Sequence, residues 1–258
     1  MILGLRPVLL ALALSLVSLV FPFGSSRAAD APALDARLAA RGIRDARVLE
    51  AFARVPRDVF VPVDAPERRF DEKQLPSTFT QAISQPYLLA RMIELLRPKA
   101  ETRVLEVGTG TGYAAALLAE ISAEVFSVGV IPESAATARL RLTREGYQNA
   151  HVKVGDGSLG WREYGPYDAI IVTAIGPRVP PALIEQLVEG GVLVMPVGPP
   201  RGRQVVLRGV KKGFKLHAKE VAELHPGGDA PAPRGRQAAG DVREGRPARD
   251  PHEPRSDR

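Results

Sequence analysis

Between residues 103 and 197 short apolar runs alternate with longer amphipathic stretches. Arg103-Val-Leu-Glu-Val107 has strand length and stops at a glycine loop, the pattern of a parallel strand buried on both faces. Residues 111–121 are rich in Ala and Leu and predict a helix. Val125-Phe-Ser-Val128 predicts a second strand, and Pro132, suited to a first helical turn, opens a second helix reaching about Glu145. His151-Val-Lys-Val154 and Asp168-Ala-Ile-Ile-Val-Thr173 predict a third and a fourth strand. A short helix over 181–188, stopped by Gly190-Gly191, leads into a fifth, Val192-Leu-Val-Met195.

Strands and helices at this spacing imply right-handed βαβ crossovers and a parallel sheet with helices on both faces, an α/β fold. After Gly198 the pattern changes. Gln204-Val-Val-Leu-Arg-Gly-Val210 and residues 214–221 flank Lys211-Lys-Gly213, which predicts a C-terminal antiparallel hairpin. Ahead of the sheet, 34–40, 46–53 and 87–96 predict helices packing on it.

The two ends differ from this middle. Residues 8–23 are an uncharged apolar run, preceded by Arg6 and followed by Ser26-Arg27-Ala28, the layout of a secretory signal peptide and short for a membrane span. Residues 226–258 hold one large aliphatic side chain, Val242, and no aromatic, so they are expected to be disordered. The expected organisation is a leader or anchor at 1–28, one domain at 29–225 and a tail at 226–258. Within the domain lie helices at 33–97, the sheet at 103–197 and the hairpin at 203–222. The leader implies an exported or membrane-tethered protein, with a cytoplasmic one as the alternative.

Composition narrows the chemistry. The net charge is +6, but Lys and Arg are interleaved with acids and form no block that would track phosphates, so nucleic acid is not an expected partner. The chain has no cysteine, which removes zinc-thiolate sites, thiol nucleophiles and disulfides together. His151, His217, His225 and His252 lack ligand spacing, so no metal is expected. A monomer is expected.

The glycine loop carries the strongest signal. Gly108, Gly110 and Gly112 follow a strand and open a helix, where glycine lets the backbone turn and approach a ligand closely. A dinucleotide fingerprint would place its third glycine at 113, which is Tyr113. G-x-G-x-G after the acidic strand end at Glu106 instead resembles the cofactor loop of class I S-adenosylmethionine (SAM) methyltransferases, with their Rossmann-like sheet. Gly155-Asp156-Gly157, at the end of the third strand, has two readings. It is strong turn chemistry, and in methyltransferases an acid there faces the adenine amino group.

From about Val48 to Leu224 the chain resembles the protein-L-isoaspartate (D-aspartate) O-methyltransferases. The likeness rests on the 48–62 segment ending Val-Phe-Val-Pro62, Gln81-Ala-Ile-Ser-Gln-Pro-Tyr87, Val104-Leu-Glu-Val-Gly-Thr-Gly-Thr-Gly-Tyr113, Gly155-Asp-Gly157 and Tyr167-Asp-Ala-Ile-Ile-Val-Thr-Ala174. It implies methylation, by SAM, of the free carboxylate of isoaspartyl or D-aspartyl residues in damaged proteins, with repair through a succinimide. It implies Ser84 as the active-site residue, with Gln81 and Ile83 toward the substrate. Glu106, Gly108, Gly110, Gly112, Asp156 and Gly157 fall toward the cofactor. Read without the resemblance, Ser84 before Gln-Pro is a helix cap. A carboxylate ordinarily titrates near pH ~3.9 and is already an ionised nucleophile at neutral pH. No general base is therefore required, and holding the reactants in line can contribute about 7–11 kcal/mol.

Three departures accompany the resemblance. The family ends its second strand in an acid that binds both ribose hydroxyls; this chain has Gly129, and Glu133 lies a helical turn further on. Losing that contact costs about 1.5–3 kcal/mol. The family's His-Gly-Gln-Thr-like run before Ile-Ser is here Phe79-Thr80-Gln81-Ala82. After Glu220-Val-Ala-Glu-Leu224 the Pro/Gly/Arg-rich tail stands where the family has another apolar stretch, reading as a frameshift or a relaxed C-terminus. The alternatives to an active enzyme are an impaired homologue that binds SAM or isoaspartyl peptide weakly, and a methyltransferase with another substrate. A nicotinamide oxidoreductase is a more distant one.

Overall fold

The computed structural model describes residues 33–60, 75–76, 82–83, 85–199 and 202–224. The leader, the tail, Gln81 and Ser84 lie outside the described residues. The chain begins with α1 (Leu34–Ala40), α2 (Ala46–Arg54) and α3 (Arg57–Phe60), then a two-residue pairing of β1 (Leu75–Pro76) with β2 (Ala82–Ile83), then α4 (Pro86–Leu96). There follow β3 (Arg103–Val107), α5 (Tyr113–Ala119), β4 (Glu124–Gly129), α6 (Pro132–Arg144), β5 (Ala150–Val154) and β6 (Tyr167–Val172). The chain continues through α7 (Pro181–Glu185), β7 (Leu187–Val197), β8 (Gln204–Lys212) and β9 (Lys215–Leu224).

Seven strands form one sheet in the order β5-β4-β3-β6-β7-β8-β9. Pairing is parallel from β5 to β7 and antiparallel from β7 to β9. This is the parallel sheet with a C-terminal hairpin that the pattern predicts. The order reverses at β3, where one crossover runs to β4 and β5 and the next returns to β6. Such a reversal opens a crevice at the carboxyl ends of the strands.

Successive residues of β3 and β6 serve opposite faces of the sheet. Val104, Ala169 and Ile171 join the core beneath α4, α5 and the N-terminal helices, whereas Leu105, Val107, Ile170 and Val172 join the other core with Phe126, Leu183 and Leu193. The N-terminal helices are pinned by polar contacts. Glu94 Oε1 accepts from the amides of Arg44 (2.6 Å) and Asp45 (3.0 Å), and Arg47 donates to the Pro98 carbonyl at 2.7 Å.

Between β5 and β6 the second face is covered by two short 3₁₀ turns, Gly157–Leu159 and Arg162–Tyr164, not by a long helix. Gln186, buried at the end of α7, holds both. Its Oε1 accepts from Trp161 N at 2.9 Å and its Nε2 donates to Leu159 O at 2.8 Å. Beneath them Phe126 stacks on Tyr164 (4.8 Å between ring centroids) and on His151 (5.0 Å).

The sequence reading needs correction around Gly190-Gly191. These glycines do not stop α7, which ends at Glu185; they lie inside β7, which starts at Leu187 and not at Val192. Between the pairs Tyr167↔Leu187 and Ala169↔Val192 the register shifts, so β7 carries extra residues and bulges there. Gly190 takes φ +77°, and a Cβ on Gly191 would stand 2.9 Å from the Val188 carbonyl and 3.1 Å from that of Asp168. The hairpin turn is also displaced, to Gly213-Phe214.

Candidate active site

The crevice is built from the residues just past β3, β4, β5 and β6. Gly108, Gly110 and Gly112 all have positive φ, at +112°, +51° and +89°, and Gly112 is the N-cap of α5. The loop is held from both neighbouring strands. Gly108 N donates to Val128 O at 2.9 Å on the β4 side, and Thr173 N donates to Val107 O at 2.9 Å on the β6 side. The Thr173 hydroxyl completes the clamp by donating to the Gly108 carbonyl at 2.9 Å. A Cβ on Gly108 would collide with that hydroxyl, so this glycine answers both a conformational and a packing demand.

Two residues before Gly108, Glu106 is wholly buried and neither carboxyl oxygen has a hydrogen-bond partner of good geometry. It lies in register with Ser127 on β4 and Ile171 on β6. Burial pushes its carboxyl up to about 8, and the Ser127 hydroxyl opposes that shift only in part. Ser127 is otherwise engaged, its Oγ lying 2.6 Å from the buried Thr109 Oγ1. Burial thus favours the protonated form of this carboxyl, and a positive charge beside it would favour the ionised one.

Gly129 ends β4, its carbonyl accepting from Gly155 N at 3.0 Å. An added Cβ would meet Thr109 Cβ and Oγ1 at 3.0 Å each, and the adjoining Val130 is 67% exposed. No carboxylate from β4 therefore reaches this side of the crevice. Asp156 caps the first 3₁₀ turn, accepting from Ser158 N at 2.9 Å, and the Ser158 hydroxyl first and this amide second hold its carboxyl below the usual range. The turn reading of Gly-Asp-Gly is thus realised at an exposed position on the rim. Gly157 is demanded by contact, since a Cβ there would strike Val107 Cγ1 at the end of β3.

The structure thus gathers Glu106, Gly108, Gly110, Gly112, Asp156 and Gly157 at one edge of the sheet. The backbone of Ile83 pairs with Leu75 in the small β1–β2 unit. The N-cap of α4 is Gln85, followed by Pro86 at the first helical position. Sequence reading missed the Thr173 clamp and the Thr109–Ser127 pair. The available signal was a hydroxyl residue directly past a buried strand at the ligand-binding edge.

A family model described as protein-L-isoaspartate (D-aspartate) O-methyltransferase matches residues 31–225. Among curated proteins, protein-L-isoaspartate O-methyltransferase 2 of Marinobacter nauticus is 51% identical over 171 residues, covering 66% of this chain and 78% of that one. The protein-L-isoaspartate O-methyltransferase of Opitutus terrae is 42% identical over 212 residues, 79% of this chain and 91% of that one. A solved protein-L-isoaspartate O-methyltransferase superposes with a TM-score of 0.68 at 28% identity, spanning 78% of this chain and 65% of the other. A Plasmodium falciparum beta-aspartate methyltransferase, solved with S-adenosyl-L-homocysteine, shares the fold with a TM-score of 0.63 at 22% identity, over 74% of this chain and 94% of that one.

Proposed function

The chain belongs to the protein-L-isoaspartate (D-aspartate) O-methyltransferase family, whose members methylate isoaspartyl carboxylates with SAM, and we propose that it does so through the crevice between β4 and β6. The observation that carries this reading is Glu106, a wholly buried carboxyl with no hydrogen-bond partner of good geometry, two residues before the first of three loop glycines.

The residues fit SAM. Glu106 offers a buried carboxyl whose ionised form a ligand carrying an ammonium and a sulfonium would stabilise in a low-dielectric site. Gly108, Gly110 and Gly112 leave the loop without side chains where the ligand approaches, and Asp156 and Gly157 form the rim on the β5 side. The bound cofactor supplies a methyl group already activated on sulfonium. The chain's contribution is placement. Thr173 fixes the Gly108 carbonyl, and the Thr109–Ser127 pair fixes the floor beside Glu106. Ser84, with Gln81 and Ile83, is assigned to the substrate carboxylate on the resemblance of the segment that leads into α4.

Methyl transfer from labelled SAM to an isoaspartyl peptide, with its aspartyl twin as control, tests the reading; equal labelling of both peptides rejects it. A second reading, an impaired homologue, draws support from Gly129 and the exposed Val130 beside it, and saturable SAM binding without turnover favours it. The apolar run at 8–23 supports export or tethering. Fractionation with N-terminal sequencing tests this, and a cytoplasmic chain retaining residues 1–28 overturns it. A monomer is proposed, to be checked by light scattering.

A further inference from the structure

The tip of the β8–β9 hairpin combines features that the fold itself does not use. Phe214 is fully exposed. Lys212 and Lys215 are exposed and directly opposed across the hairpin, an arrangement that destabilises a strand pair through like charge. Lys211 lies at the same end, its ammonium donating to the carbonyls of Glu185 (3.1 Å) and Leu187 (2.6 Å). The acids facing this end from neighbouring elements are Glu189, whose Oε2 accepts from Gly213 N at 2.9 Å, and Glu185, which is paired with Arg162.

We propose that this tip is a docking point for an anionic phospholipid bilayer, with Phe214 entering the interface and Lys212 and Lys215 meeting the headgroup phosphates. An aromatic ring flanked by long cationic side chains suits that boundary, where the ring is buried and the ammonium groups stay wet. Juxtaposed lysines gain from the negative potential of such a surface. A protein partner fits less well, because a stable protein interface needs about 800 Å² from each side and the tip presents one apolar side chain. The placement is compatible with turnover. Val210 pairs with Val192 and Val205 with Val197, so the tip lies where the parallel strands begin and the crevice where they end. The eleven-residue run of β7 between them spans about 30 Å. A chain seated on lipid by this tip keeps its glycine loop turned away from the surface. The apolar run at 8–23 is a second segment of the same sequence suited to lipid.

The test uses the full chain carrying Phe214→Trp, with the unsubstituted chain, whose only tryptophan is Trp161, as baseline. Vesicles of phosphatidylcholine with phosphatidylglycerol, brominated along the acyl chains, should shift the added emission to the blue and quench it. Lys212→Glu with Lys215→Glu on the same background should abolish both changes. Absence of shift and quenching, equal quenching in phosphatidylcholine alone, or quenching that survives the two glutamates overturns the proposal. Sedimentation with vesicles through the leader alone, without quenching at position 214, overturns it equally.

Discussion

The hydroxyl of Thr173 donates to the carbonyl of Gly108 at 2.9 Å, across 65 residues of chain, and so ties the glycine loop to the end of β6. Replacing Thr173 by Val keeps most of the volume and removes the donor. It should cost about 0.5–1.5 kcal/mol of stability, by thermal or urea unfolding, and weaken SAM binding several-fold. Gly108→Ala should be worse, because the new Cβ meets that hydroxyl and φ is +112°. With Thr173→Ala as the matching single variant, the double variant Gly108→Ala/Thr173→Ala should relieve the steric part and the two losses should fall short of additivity; strict additivity would show that the contact is immaterial.

Glu106 makes both stability and cofactor affinity depend on pH. Its folded value, about 8, lies above its unfolded value near 4.5, so the native chain holds a proton that the unfolded chain releases as pH rises between the two. Stability without cofactor should therefore fall between about pH 4.5 and about pH 8, by on the order of 5 kcal/mol, and level off above that. Binding of a cation favours the ionised form, so SAM affinity should rise with pH across the upper part of that window. Glu106→Gln should flatten both profiles in calorimetry, and an unchanged slope would remove Glu106 from the cofactor's surroundings.

Gly129→Glu should restore an acid to the ribose side and tighten SAM binding. The gain of a charge-assisted pair, about one to two decades, is reduced by the strain of a Cβ placed 3.0 Å from Thr109. Gly129→Ala isolates that strain. If titration calorimetry gives the glutamate and alanine variants equal affinity, the ribose assignment fails.

Gln186→Ala removes the side chain that holds both 3₁₀ turns and leaves the Trp161 amide and the Leu159 carbonyl without these partners. A loss of about 2–4 kcal/mol in unfolding free energy is expected. Because the first of these turns carries Asp156 and Gly157 on the rim of the crevice, SAM affinity per folded molecule should fall as well, by titration calorimetry.

Much of this architecture was legible in the sequence because β3, β4 and β6 are apolar runs with distinct ends. The cofactor edge was legible too, since three glycines at alternate positions followed by an Ala/Leu helix restrict the fold strongly. β7 was not, because its first residues, Leu187-Val-Glu-Gly-Gly191, carry the glycines that usually end a helix. Only the approach of the Val188 and Asp168 carbonyls shows why residue 191 has no side chain. Thr173, Ser127 and Gln186 were illegible for another reason. Each acts on a partner 18 to 65 residues away, and no local spacing encodes such a pair.

The double anchoring of the glycine loop also bears on the order of assembly. Gly108 finds its first anchor in β4, twenty residues on, but the second waits for Thr173, which is made much later. During synthesis the loop therefore leaves the ribosome long before it can hold its shape, and pairing of β3 with β6 must close a long stretch of chain first. Fragments ending before residue 173 should show helix in solution yet fail to retain SAM, so the binding crevice is among the last parts of the molecule to mature.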